Sequence, residues 1–148
     1  MKLSTRARYG TRVLLELALH WGKGPMLLKD IAQRQQIPLP YLQQLIGPLV
    51  KAGIIKTIRG ARGGISLLKP PKEVILSEAI KLLEGSIAPV DCVDNPEVYP
   101  RSDSCVTHEI WAEVKRAMYG VLESTTFEDL VERQKQKGNL KQLQDHQK

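Results

Sequence analysis

Residues Leu28–Leu68 read LKDIAQRQQIPLPYLQQLIGPLVKAGIIKTIRGARGGISLL. The apolar spacing predicts a helix over Leu28–Gln35 with Leu28, Ile31 and Ala32 facing inward. Gln36-Ile37-Pro38 reads as a turn. A second helix is predicted over Leu39–Ala52, with Pro40 tolerated in its first turn. Leu42, Leu45, Ile46, Leu49 and Val50 form its apolar face, which leaves Tyr41, Gln43, Gln44 and Lys51 outside. Gly53 suits the left-handed position that closes a helix. Two β-prone runs follow, Ile54–Ile58 and Ile65–Leu68, around the loop Arg59-Gly60-Ala61-Arg62-Gly63-Gly64. Helix, turn, helix and basic hairpin form the layout of a winged-helix DNA reader.

One dipeptide cuts across this pattern. Gly47-Pro48 lies inside the second helix. A proline there removes a backbone bond and costs about 3 kcal/mol or more. The expectation is a kink or a 3₁₀ turn after Leu45. Base contacts would then be confined to the first turns, Pro40–Gln44.

Outward from this stretch, Ser4 to Trp21 is predicted as a first helix, capped by Ser4 or Thr5. Its buried stripe would hold Tyr9, Val13, Leu14, Leu17, Ala18 and Trp21, with Arg6, Arg8 and Arg12 near phosphates. His20 is read as a satisfied or solvent-facing histidine. Lys69-Pro70-Pro71 closes the reader. Ser77–Glu84 is a short helix, capped by Ser77, stopped by Gly85 and packed through Ala79, Ile80 and Leu83. Ser86–Ser104 reads as a loop of nineteen residues, the length at which loops are functional or disordered. A long helix, Val106–Ser124, carries Ile110, Val114, Ala117 and Val121 at helical steps, with Trp111, Met118 and Leu122 beside them. So wide a stripe after a complete domain points to a dimer interface; packing on its own domain is the competing reading. Thr125-Thr126-Phe127-Glu128 reads as a capping box opening a final short helix. The polar tail from Gln134 is expected to be flexible.

The fold class is therefore mainly α with a small β-hairpin: a winged helix-turn-helix domain (1–85), a cysteine-containing loop (86–105), a dimerisation helix with a short C-terminal helix (106–133), and a tail (134–148).

Charge supports this division. Residues 1–72 hold 13 Lys/Arg against Glu16 and Asp30, a balance of +11. Residues 73–131 hold 4 Lys/Arg against 12 Asp/Glu, a balance of −8. Such a basic first half is the footprint of a polyanion binder. The opening MKLSTRARYG turns polar at once, so no signal peptide is expected, nor any membrane span. Walker, dinucleotide-binding, HExxH and nucleophile-elbow motifs are all missing. A zinc- or thiol-dependent enzyme would need a general base beside an open metal position, and the sequence offers no such set.

The segment DCVDNPEVYPRSDSCVTHEI places Cys92, Cys105 and His108 within seventeen residues. Cys105 and His108 are three apart at a predicted helix start, so both can face one centre. Two thiols and an imidazole suit zinc or an iron–sulfur cluster. Two buried thiols and a surface histidine are the bland alternative. Two cysteines in a chain with no secretion signal point to a reducing, cytoplasmic setting.

Five stretches carry a family resemblance: MKLSTRARYG, IPLPYLQQLIGPLVKAGII, IRGARGGISL, CVTHEIW and STTFEDL. The chain resembles the bacterial Rrf-type winged-helix transcription regulators, the IscR-, NsrR- and CymR-like group, over about residues 1–131. The resemblance implies a homodimer on a partly palindromic double-stranded DNA operator, with control tied to iron–sulfur supply, nitric oxide or cysteine metabolism. Cluster-binding members carry three loop cysteines, and the IscR-like ones add a histidine. Cys92 matches the first, Cys105 the third and His108 the histidine; Tyr99 stands near the missing middle one. A fourth ligand would come from Asp91, Asp94, Asp103, Tyr99 or the partner subunit. Some relatives use an acidic residue of the partner's first helix, where this chain has Arg8 and Arg12.

On this reading Gln43, Gln44 and Tyr41, with Pro40 beside them, reach base edges. Arg59, Gly60 and Arg62 act at the wing, and Arg6 and Lys51 hold phosphates. A cluster, 2Fe-2S by the resemblance, would order the loop on the long helix and retune DNA binding; a repressor is expected, though the sequence does not show the sign of the effect. The alternative is a cluster-free regulator of the cysteine-metabolism type, controlled by a protein partner.

Overall fold

The computed structural model describes residues 2–146, and the side chains of residues 2–138. Helix α1 spans Thr5–Leu19, and the Ser4 hydroxyl caps it by accepting from the Ala7 amide. Helix α2 spans Leu28–Gln35 and α3 spans Leu39–Lys51. Strands β1 (Ile55–Ile58) and β2 (Gly64–Leu67) pair antiparallel, Ile55 opposite Leu67 and Ile58 opposite Gly64. Helix α4 covers Leu76–Glu84, α5 is a single turn at Asp91–Asp94, α6 covers Val106–Glu123, and α7 covers Phe127–His146. Among the described residues, no helix is long and apolar enough to cross a membrane.

The core gathers around α1, which packs against α2, α3, α4, α7 and β2. Val13, Leu14 and Leu17 meet Ile31, Leu42, Leu45, Leu49, Ile55, Ile65 and Leu67 in one cluster. Gly10 lets α1 and α4 close up: a Cβ there would lie 2.3 Å from Leu83 Cδ1.

Several expectations are corrected. The expected buried stripe of α1 loses Trp21, which is 42% exposed. The helix ends at Leu19, His20 is its C-cap, and Gly22 turns the chain away at φ +83°. Val50 is 38% exposed. Eight residues beyond Leu42, it sits about 80° round the helix, at the edge of the apolar stripe. Gly47-Pro48 produces no 3₁₀ turn, and α3 is continuous α-helix through both. Pro48 leaves the Gln44 carbonyl without its helical donor, but Gln44 is exposed and water can serve it. Ser77 does not cap α4; it is buried within the first turn, and Ile75 holds the cap position. The loop is not structureless, since it contains α5 and a 3₁₀ turn at Pro96–Val98. The capping box lies one residue later than expected. Thr126 Oγ1 accepts from the Asp129 amide at 3.2 Å, and Asp129 Oδ2 accepts from the Thr126 amide at 2.9 Å. That second bond comes first among the causes that hold the Asp129 carboxyl below the usual range. The final helix is not short, and its first turns lie inside the core through Phe127 and Val131. Of the expected flexible tail, residues 147–148 lie outside the described residues.

One pairing had no local signal. Met26, between α1 and α2, exchanges two backbone bonds of 2.8 Å with Ile65 and extends the hairpin edge. Gly64 makes this approach possible. Its φ is +149°, and a Cβ would lie 2.2 Å from the Met26 carbonyl oxygen. Gly64→Ala is expected to cost about 1–3 kcal/mol, read as a fall in unfolding midpoint. An unchanged midpoint would mean that the hairpin does not need this close approach.

Candidate nucleic-acid interface and cysteine loop

The exposed side of α3 and the turn of the hairpin are the candidate surfaces. Pro40, Gln43, Gln44 and Lys51 are exposed on α3. Arg59, Gly60 and Arg62 are exposed between β1 and β2, with Gly60 at φ +104°. Arg6 is exposed in the first turn of α1. Among the described residues, none of these cations forms a salt bridge. Their charge is therefore available to a polyanion.

Tyr41 departs from the expected outward position. It is partly buried, its ring edge-on to Tyr9 with centroids 5.6 Å apart. Arg12 is likewise engaged within the chain, donating Nε to Gln35 Oε1 at 2.9 Å and Nη2 to the Gln35 carbonyl oxygen. These contacts escaped the sequence reading because they join three helices. The local hint was the i, i+3 spacing of Tyr9 and Arg12, which sets both on one face of α1.

The cysteine loop folds back on α6. Cys92, in α5, lies with Sγ 3.2 Å from His108 Nδ1. Two residues on, Asp94 accepts from Lys115 Nζ at 2.7 Å and from the Ser86 hydroxyl. The Lys115 bond, then that of Ser86, holds the Asp94 carboxyl below the usual carboxylate range. The clamp thus engages a carboxylate that the sequence offers as a candidate fourth ligand.

Cys105 takes a different direction. It is the N-cap residue of α6, and its Sγ lies 3.1 Å from the Thr107 hydroxyl. That contact first, then the His108 amide, holds the thiol below its usual range, with Arg101 adding a smaller pull. Ser102 is buried nearby, its hydroxyl without a hydrogen-bond partner. The structure thus brings together two of the three expected ligands. Among the described residues, no three His, Cys, Asp or Glu side chains converge as a metal-binding group. An iron–sulfur cluster takes four protein ligands, of which Cys92, Cys105 and His108 would supply three. Tyr99, at the middle position, lines a shallow surface pocket with Asp91 and Cys92.

A helix–turn–helix, a basic hairpin and an uncovered cationic surface define a winged-helix, DNA-binding transcription regulator. The chain belongs to the Rrf2 family, whose model, described as an iron-dependent transcriptional regulator, matches residues 3–133. It is 44% identical over 131 residues to the protein rrf2 of Nitratidesulfovibrio vulgaris, covering 88% of this chain and 87% of the relative. The structure of CymR, the global cysteine regulator of Bacillus subtilis, superimposes with a TM-score of 0.76 at 41% identity, covering 90% of this chain and 98% of that one. The structure of T. potens IscR does so with a TM-score of 0.75 at 38% identity, covering 90% and 88%. These relatives are regulators and not enzymes.

Proposed function

We propose that the chain acts as a homodimer on a partly palindromic operator and regulates transcription without a complete iron–sulfur site. The observation that carries the cluster-free reading is the donor arrangement. Cys92 and His108 meet and Cys105 turns to Thr107, and by the family resemblance Tyr99 falls near the place of the missing middle cysteine. Control then falls to a protein partner acting on the loop or α6, as in a regulator of cysteine metabolism. A second reading, a cluster-controlled regulator, draws on the Cys92–His108 approach. Visible absorption with iron and sulfide analysis of anaerobically purified protein separates the two. Colourless, sulfide-free protein that still binds its operator supports the first; acid-labile sulfide with charge-transfer absorption overturns it.

Dimerisation rests on α6. None of its residues is buried. Val106, Ile110 and Val121 are 70%, 49% and 64% exposed, and with Ala117 they fall within about 60° of one face. A seam of this kind calls for a second apolar surface. Ile110→Asp is expected to convert the dimer to monomer in sedimentation equilibrium, and a dimer that survives it would place the interface elsewhere. Two readers related by a two-fold axis would meet half-sites about 34 Å apart.

Base reading is assigned to Gln43 and Gln44, since glutamine can pair bidentately with adenine. Pro40 flanks them, and Tyr41 contributes by packing on Tyr9. Arg59 and Arg62 would grip at the wing around Gly60, and Arg6 and Lys51 would hold phosphates. Gln44→Ala and Gln43→Ala are each expected to cost about 1–3 kcal/mol on the operator and to relax specificity at one base pair. Equal losses on every sequence would instead mark them as phosphate contacts.

A further inference from the structure

The aim of the first turn of α3 depends on the three residues that connect it to α2. Gln36 closes α2 in a left-handed conformation, φ 54°, unusual for a residue with a side chain. The Gln35 carbonyl just before it is one of the groups that a helix end leaves without an internal partner. Arg12 of α1 takes that carbonyl and, through Nε, the Gln35 side-chain oxygen as well. The other end of the Gln35 amide donates to Glu16 Oε1 at 2.7 Å, and Arg34 lies 3.8 Å from Glu16 Oε2. On its other side the Arg12 guanidinium lies 5.4 Å from the centre of the Tyr9 ring, which meets the Tyr41 ring edge-on. One arginine thus joins the end of α2, the face of α1 and the first turn of α3.

We propose that Arg12 is a positioning residue for sequence recognition: with Gln35 and Tyr9 it locks the turn that aims Gln43 and Gln44. The proposal rests on the reading of α3 as the base-reading helix. The arrangement preorganises the turn. A two-point bond from a planar guanidinium fixes both distance and direction, which a lysine ammonium cannot reproduce. Without the lock the turn samples other angles. Base hydrogen bonds then lose their geometry, whereas phosphate contacts, which tolerate displacement, survive.

The test uses a duplex selected by the full-length wild-type protein from a random-sequence library, together with a scrambled duplex of equal length. Arg12→Lys keeps the charge, and Gln35→Ala changes none. Each is expected to lower the ratio of selected to scrambled affinity about tenfold. The double variant should fall by less than the two single losses combined, because both substitutions break the same two-point bond, Gln35→Ala at its side-chain point alone. The slope of affinity against salt should stay at the wild-type value. Unfolding midpoints close to wild type, expected for substitutions away from the core, would confirm that the loss is one of aim and not of folding. Arg12→Lys near wild type with Gln35→Ala silent would mark Arg12 as a plain cation and overturn the proposal. Additive losses would overturn it too. A wild-type protein that selects no sequence at all would overturn the base-reading assignment along with it.

Discussion

Raising salt from about 50 to 200 mM is expected to weaken operator binding by about 10³–10⁵. Residues 1–72 carry a charge balance of +11. Arg6, Lys51, Arg59 and Arg62 are all exposed. Two protomers therefore offer about eight phosphate contacts, inside the range of 6–10 for which the salt effect reaches this size. Arg12 and Arg34 are left out of that count, the first being bound to Gln35 and the second lying beside Glu16. Fluorescence anisotropy on the selected duplex across a salt series would supply the slope. A flat response would sink the electrostatic account, and a slope well above that for about eight charges would bring Arg12 into direct contact with DNA.

Phe127→Ala is expected to destabilise the protein by about 3–5 kcal/mol. Phe127 is the largest of the fully buried side chains, and its own backbone is pinned. Its amide donates to the Val74 carbonyl at 3.0 Å, and the Leu76 amide donates to the Thr125 carbonyl at 2.8 Å. With so little room for the surroundings to collapse, removing the ring leaves a cavity. Denaturant titration at a fixed protomer concentration measures the loss, since the midpoint of a dimer depends on concentration. A cost below about 1 kcal/mol would mean that α7 is held by other contacts.

Local rules carried the reader. A cap at Ser4 or Thr5, the bounds of α2, Gly53 as a left-handed stop and Gly85 as the end of α4 each need only a few neighbouring residues. The hairpin and the long α6 were legible for the same reason. What escaped the sequence joins distant residues. Met26 on the edge of β2 has no periodicity to announce it. Phe127 reads as part of a capping box because nothing nearby says that the core is one ring short. Tyr41 looks free on a helical wheel and is not, because Tyr9 comes from another helix. The cysteine loop was legible in its donors but not in its geometry. Spacing set Cys105 and His108 on one centre, whereas the structure pairs His108 with Cys92, which the turn of α5 brings back onto α6.

The short backbone pairing of Ile75 with Thr126 has a consequence for the order in which the protein is made. The reader's last core residues, Phe127 and Val131, leave the ribosome after the whole of α6. At about 5–20 residues per second, several seconds separate synthesis of the wing from synthesis of these residues. Throughout that interval the nascent chain carries its cations on a core that is still open. The reader is completed only after α6, the helix proposed to pair it with a second copy, has been made, so on that proposal recognition and assembly mature together.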